Sequence, residues 1–325
     1  MMIIAPTPRL VRHAVARLRA PVSASVSVSA PALTISGRAF FSSASSFSDI
    51  PTVTLAYDLH EPAKPVADAK TSPIIFMHGL FGSKKNNRTM SKVLARDLGR
   101  HIYALDLRNH GDSPHDQRHD YLAMAADVAE FIRQHGLKEP TLIGHSMGAK
   151  TALALALQDP SLITNLVAVD NAPIDAPLTS DFPRYIQGMK AIDAANVTRQ
   201  AEADKILAPY ESSFTIRQFL LGSLYRPDPK NDQTLKYRLP LGVLGGALGY
   251  LGDFPFRNPS ERRFVKPALF VRGTKSLYVP DEVIPAIGEF FPRFEMVDVD
   301  SGHWVISEKP EAFREAVVNF LEPKE

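Results

Sequence analysis

Thr141-Leu-Ile-Gly-His-Ser-Met-Gly148 sets a serine between two glycines, where an apolar run gives way to an alanine-rich stretch. Pro140 to Ile143 reads as a buried strand and Ala149 to Leu157 as a helix. A chain turning that sharply from strand to helix holds the residue at the bend in a strained backbone and lifts its side chain clear of the sheet. Side chains two places before or after it would collide, so Gly144 and Gly148 suit the bend and Ser146 becomes a candidate nucleophile. A glycine-rich turn with an N-capping serine would leave the same five-residue pattern. The rest of the chain has to decide between the two.

Upstream, Pro51 to Leu59 alternates apolar and polar residues as a half-buried edge strand does, and Pro73-Ile-Ile-Phe-Met77 is a short apolar run of the kind buried on both faces of a parallel sheet. A helix is predicted over Met90 to Leu98, a strand over His101 to Leu107, and a helix over Tyr121 to His135. Downstream of the elbow, Leu162 to Val169 reads as a strand ending in Asp170-Asn171-Ala172-Pro173. Strand and helix thus alternate in βαβ units, which implies an α/β fold with a mostly parallel sheet and helices on both faces. The rhythm breaks between about 175 and 264, where helical stretches (Phe182 to Ala195, Thr198 to Leu207, Ser213 to Leu224) precede a Gly/Pro/Leu-rich segment with no clear strand. This block reads as a helical lid inserted into the sheet. Strands resume at Ala268 to Arg272 and Arg293 to Val299, and a last helix covers Pro310 to Leu321.

The chain has 325 residues, 45% hydrophobic and 22% charged, and no cysteine. Disulfides, thiolate nucleophiles and cysteine-bound zinc are therefore excluded, and no apolar run reaches the roughly 18 residues of a membrane span. The net charge of +2 joins two unlike parts. Residues 1–48 hold Arg9, Arg12, Arg17, Arg19 and Arg38 with no lysine and no acid; without them 32 basic residues face 35 acidic ones, a balance of −3. An arginine- and serine-rich, acid-free start reads as a mitochondrial transit peptide, with processing expected near Arg38-Ala-Phe-Phe-Ser-Ser43. The remainder, 49–325, is one domain carrying the lid. It offers no basic-aromatic patch for nucleic acid.

A serine hydroxyl needs a base, and the base needs an orienting acid. In the elbow arrangement the chain order is serine, acid, histidine. Of the ten histidines only His303, in Asp300-Ser-Gly-His-Trp304 after the last strand, follows Asp170. The acid would ordinarily follow the strand before the last. There the turn reads Arg272-Gly-Thr-Lys-Ser-Leu-Tyr-Val-Pro280, with Ser276 where an aspartate is expected. Asp170, at the C-terminal end of the preceding strand, is the favoured acid, with Asp281 as runner-up and Asp300 too close to His303 to reach round it. The oxyanion donors are expected to be the N–H groups of Met147 and, in the His78-Gly-Leu-Phe81 turn, Leu80. His78 has two readings, a catalytic one and one of holding its turn by hydrogen bonds, while His145 reads as structural. His115 and His119 with nearby aspartates only loosely resemble a metal cluster, and a solvated loop accounts for them. Asn87-Arg-Thr89 and Asn196-Val-Thr198 match glycosylation acceptors that a mitochondrial protein would not present to that machinery. No dinucleotide or P-loop fingerprint occurs, so no cofactor and no metal are expected.

Taken together, His78-Gly-Leu-Phe-Gly-Ser83, Asp106-Leu-Arg-Asn-His-Gly-Asp-Ser113, Gly144-His-Ser-Met-Gly-Ala-Lys150, Val169-Asp-Asn-Ala-Pro173 and Ser301-Gly-His-Trp304 resemble one branch of the α/β-hydrolase superfamily. That branch includes the mitochondrial abhydrolase domain-containing protein eleven, small bacterial esterases and fungal ethanol acetyltransferases. The resemblance runs from about 51 to 322. It implies that Asp170 is the triad acid and that Ser276 assists from its turn. It also implies hydrolysis of short-chain esters or thioesters through an acyl-enzyme on Ser146, with transfer to alcohols in some members and acetyl-CoA as a substrate rather than a cofactor. Two other readings stand beside it: a dedicated alcohol acetyltransferase, and a non-catalytic member that binds a protein partner.

Overall fold

The computed structural model describes residues 49–62, 72–176, 178 and 181–322. The expected transit peptide, residues 1–48, lies outside the described residues. In chain order the strands are β1 (Tyr57–His60), β2 (Ile74–Met77), β3 (Ile102–Leu105), β4 (Thr141–His145), β5 (Asn165–Val169), β6 (Leu224–Tyr225), β7 (Lys236–Tyr237), β8 (Ala268–Gly273) and β9 (Phe294–Val299). The helices are α1 (Lys84–Leu98), α2 (Tyr121–Gln134), α3 (Met147–Gln158), α4 (Asp181–Ala195), α5 (Gln200–Leu207), α6 (Phe214–Leu221), α7 (Leu241–Gly252), α8 (Ile284–Phe290), α9 (Val305–Glu308) and α10 (Pro310–Leu321).

Seven strands form one sheet in the order β1-β3-β2-β4-β5-β8-β9. β1 runs antiparallel to β3 at the edge, and every other pairing is parallel. The strict alternation of side chains along each strand divides the core in two. Ile74 and Phe76 of β2 join Ile143, Val167, Val169 and Val271 under α1 and α10, while Ile75 and Met77 join Leu142, Leu166, Ala168 and Phe270 under α2 and α3. Strands covered on both faces read as continuous apolar runs, which is why β2, β4 and β5 were visible in the sequence. In parallel strands the C-terminal ends share one edge, and Ser146, Asp170 and the turn after β8 all lie there.

The segment between β5 and β8 carries α4 to α7. Two features depart from the sequence expectation. A short antiparallel hairpin joins β6 and β7, and the Gly/Pro/Leu-rich stretch forms α7. Of the five glycines in that helix, the four in its interior, Gly242, Gly245, Gly246 and Gly249, cost roughly 1 kcal/mol each relative to alanine. The helix is held from outside: Leu241, Leu244, Ala247 and Leu251 are buried on one face. At its C-terminal end Tyr121 donates to the Leu251 carbonyl at 2.8 Å and Lys150 to those of Gly252 and Asp253 at 3.1 and 3.2 Å.

Candidate active site

The bend between β4 and α3 has the strained geometry expected of it, with Ser146 at φ 54°, ψ −113°. A Cβ at position 144 would fall 2.2 Å from the Gly148 carbonyl oxygen, and one at 148 would fall 2.7 Å from the carbonyl oxygens of Met77 and His78. Only glycine permits so close an approach of backbones. The serine is pinned on both sides, its N–H donating to Val169 O at 2.9 Å and its carbonyl accepting from the Asn171 side chain at 3.2 Å.

His303 reaches the elbow from the loop after β9. Its Nδ1 donates to Asp170 Oδ2 at 2.6 Å, which leaves Nε2 free to accept the Ser146 hydroxyl at 2.9 Å. Asp170 is the residue just past β5. Its left-handed backbone, φ 52°, turns the carboxylate along the sheet edge, where it is 1% exposed. Gly273 N–H donates to Oδ1 at 3.0 Å and Ser276 Oγ–H to Oδ2 at 2.5 Å. A buried carboxylate that accepts three hydrogen bonds is held in place. The structure therefore brings Ser146, Asp170, His303 and Ser276 together. Asp281 instead sits at the surface, its side chain 80% exposed and paired with Arg272 at 2.5 Å; Asp300, 73% exposed, pairs with Lys275 at 2.9 Å.

Three neighbours hold the imidazole. Tyr278 lies against it with ring centroids 4.2 Å apart. His145, directly before the serine, donates from Nε2 to the His303 carbonyl at 2.8 Å, tying the histidine loop to the elbow. Burial pushes the His145 pKa down to about 4, so this clamp is a neutral imidazole. On the other flank, Glu308 accepts the Gly302 N–H at 2.8 Å.

The turn from His78 to Gly82 faces the serine. The N–H groups of Leu80 and Met147 donate to no acceptor among the described residues. Phe81 adopts φ 64°, and its N–H is taken by His110 Nε2 at 3.1 Å. His78 donates from Nδ1 to Gly79 O at 2.8 Å and accepts the Leu107 N–H at 3.1 Å. Burial lowers the pKa of both rings, which keeps their nitrogens available as acceptors. The structural role read for His78 matches these bonds, whereas the part of His110 was not foreseen. Asp106 also went unread. It is fully buried, accepts the N–H groups of Lys84 and Asp112 at 2.6 and 2.8 Å, and pairs with Lys84 Nζ at 2.6 Å.

The solvated loop expected around His119 is not what forms. His119 is 3% exposed, its Nδ1 accepts from the Asn109 amide at 3.3 Å, and burial pushes its pKa down to about 4. Among the described residues no three His, Asp or Glu side chains are grouped so as to hold a metal ion. A cavity of about 700 Å³ opens beside the site. His78, Gly79, His145 and Trp304 line it together with residues of α1, α6 and the α9–α10 segment.

Residues 72–310 match the family model described as alpha/beta hydrolase fold. A Saccharomyces cerevisiae protein named "Probable alcohol acetyltransferase" is 41% identical over 288 residues, covering 83% of this chain and 84% of that protein. The sn-1-specific diacylglycerol lipase ABHD11 of Xenopus laevis is 39% identical over 276 residues, covering 83% and 84%. Among solved structures, a marine microorganism esterase superposes with a TM-score of 0.73 at 28% identity, over 83% of this chain and 100% of that one.

Proposed function

The chain belongs to the α/β-hydrolase family, and on that premise we propose that it is a serine hydrolase of short-chain esters or acyl-CoA thioesters, able to pass the acyl group to an alcohol. The observation that carries the reading is the continuous relay in which His303 stands 2.9 Å from Ser146 Oγ and 2.6 Å from Asp170 Oδ2. In the first step Ser146 Oγ bonds to the substrate carbonyl carbon while His303 Nε2 takes the hydroxyl proton. The resulting oxyanion is held by the Met147 and Leu80 N–H groups, each such donor being worth ~10² to 10³ in rate. Collapse expels the alcohol or thiol, which takes the proton from His303, and leaves an acyl-enzyme. Water or a second alcohol then attacks with the same histidine as base. Asp170 orients the imidazole and stabilises the imidazolium that forms.

No cofactor enters this scheme; an acyl-CoA would be a substrate. Transfer to alcohols has a specific support in the alcohol acetyltransferase named among the relatives, and a dedicated alcohol O-acetyltransferase is the second reading. The arginine-rich, acid-free residues 1–48 support a mitochondrial location. The test is hydrolysis of p-nitrophenyl acetate by the purified chain, with Ser146→Ala expected to lower turnover at least ~10³-fold. Unchanged turnover in that variant would end the proposal. With acetyl-CoA and ethanol, the ratio of ethyl acetate to free acetate separates hydrolase from acetyltransferase.

A further inference from the structure

The turn that carries the expected oxyanion donor is held in a strained shape from behind. Gly82 N–H donates to Gly79 O at 3.0 Å, closing a β-turn over Gly79-Leu-Phe-Gly82. Its third residue, Phe81, sits at φ 64°. A left-handed third residue is what a type II turn requires, and glycine, not a bulky aromatic, ordinarily supplies it. Strain of this kind persists only where the surroundings over-determine it. The turn could shed it by turning over the Leu80–Phe81 peptide, and that movement would shift the Leu80 backbone whose N–H is the donor.

Both ends of the turn are fixed to the loop after β3. At one end His78 Nε2 accepts the Leu107 N–H at 3.1 Å, and at the other the Lys84 N–H donates to Asp106 at 2.6 Å. In the middle the Phe81 N–H donates to His110 Nε2 at 3.1 Å. This bond opposes the peptide flip directly, since the flip would point the N–H away from its acceptor. The Phe81 ring, 2% exposed, packs against Phe182 of α4.

The acceptor is itself immobilised. His110 Nδ1 donates to Arg108 O at 2.9 Å, which leaves Nε2 without a proton, and burial pushes the pKa well below its ordinary value. The rings of His78 and His119 flank it at centroid distances of 5.0 and 5.6 Å. Gly111 follows at φ 55°, where a Cβ would fall 2.1 Å from Asp106 Cγ, so the loop closes on the same carboxylate that holds Lys84. His110 has no exposed surface, so it reaches the reaction through the turn and not through the substrate. We infer that His110 is a positioning residue, which keeps the Leu80 N–H aimed at the oxyanion by fixing the Phe81 N–H behind it. The inference rests on the acyl-enzyme reading above. An oxyanion donor contributes ~10² to 10³ in rate, and a displacement of about 1 Å forfeits much of such a gain.

The test compares His110→Leu, which fills the space without an acceptor, with His110→Gln, whose side-chain oxygen can take the Phe81 N–H. In His110→Leu, kcat for p-nitrophenyl acetate should fall ~10²-fold. KM should stay within about threefold, because the ground-state ester carries no oxyanion charge. Phenylboronic acid, whose boron takes Ser146 Oγ into a tetrahedral anion, should bind more weakly by a similar factor. His110→Gln should recover about tenfold of both losses. His110→Asn, too short to reach the Phe81 N–H, is a second loss-of-contact variant and should match His110→Leu. A role in packing alone would not separate kcat from KM, nor be rescued by glutamine. The hydrogen bond is read without any variant, as the scalar coupling between the Phe81 amide nitrogen and His110 Nε2 in the magnetic resonance spectrum of the wild-type chain. An absent coupling, or turnover by His110→Leu or His110→Asn within about threefold of wild type, would overturn the inference while leaving the hydrolase reading in place. A wild-type chain that shows the coupling but neither hydrolyses the ester nor binds the boronate would end the hydrolase reading, and the positioning role with it.

Discussion

Replacing Asp170 by asparagine changes one atom's hydrogen-bonding sense in a fully enclosed site, and the structure dictates how the amide must sit. Gly273 N–H is a fixed donor aimed at Oδ1 from 3.0 Å, and Ser276 Oγ lies 2.5 Å from Oδ2. An amide with its NH₂ toward Gly273 would set donor against donor in a buried place. The oxygen therefore turns to Gly273, and the NH₂ takes the position of Oδ2, where Ser276 can rotate to accept. His303 Nδ1, 2.6 Å from that position, now faces a donor and must give up its proton. The proton moves to Nε2, the atom that has to accept from Ser146. Asp170→Asn should thus leave the fold in place and cut kcat by about 10³ to 10⁴, equivalent to about 4–5.5 kcal/mol of transition-state stabilisation. Steady-state hydrolysis of p-nitrophenyl acetate, with a thermal melt to confirm folding, reads this directly. Asp281→Asn is the control: it breaks only a surface pair with Arg272 whose carboxylate is 80% exposed, a class of interaction contributing about 0–1 kcal/mol. A loss under about tenfold in Asp170→Asn, or an equal loss in Asp281→Asn, would refute the assignment of the acid.

Two further predictions concern pH. His145 and His119 have their pKa values pushed from 6.5 down to about 4 by burial, so between those values the unfolded chain binds protons that the folded chain refuses. Stability then rises with pH across that window and is lost as pH falls through it, by about 3 kcal/mol per histidine; denaturant titrations at steps from neutral to acid should show the loss, and a flat profile above pH ~4 would contradict it. Lys150 is the basic counterpart, its pKa lowered from 10.5 to about 8 by burial against the end of α7. The unfolded chain again holds the extra proton, so the wild-type protein should gain up to about 3 kcal/mol relative to Lys150→Met between mildly and distinctly alkaline pH, and parallel stability curves for the two proteins would sink the argument.

Much of this was open to sequence reasoning because the signals were local. The elbow glycines, the apolar runs of β2, β4 and β5, and the order Ser146, Asp170, His303 each follow from short-range geometry. What escaped depended on partners distant in the chain. α7 lacks a local helix signal, with five glycines in twelve residues, and is held at its end by Tyr121 and Lys150. α1 begins at Lys84, ahead of the expected Met90; in its polar first turn Lys84 and Asn87 are buried, Lys84 against Asp106, while Lys85 and Asn86 stay exposed. His110, His119 and Asn87 look like surface residues in the sequence. Their burial is a property of the tertiary fold.

The position of the acid shows what the fold constrains. β5 and β8 are adjacent and parallel, with Val169 opposite Val271, so the residues just beyond their ends occupy the same few ångströms of the sheet edge. A carboxylate delivered from either strand would meet His303 Nδ1 from nearly the same direction. Here the left-handed turn at Asp170 supplies the carboxylate from β5, and Ser276, on the turn after β8, contributes a hydrogen-bond donor to it. The two turns thus complement each other: where one carries the charge, the other need only satisfy its lone pairs. Had Ser276 been the sole residue offered to the histidine, the imidazolium would have no counter-charge. With Asp170 beneath it, the serine becomes part of what keeps that charge buried and aligned.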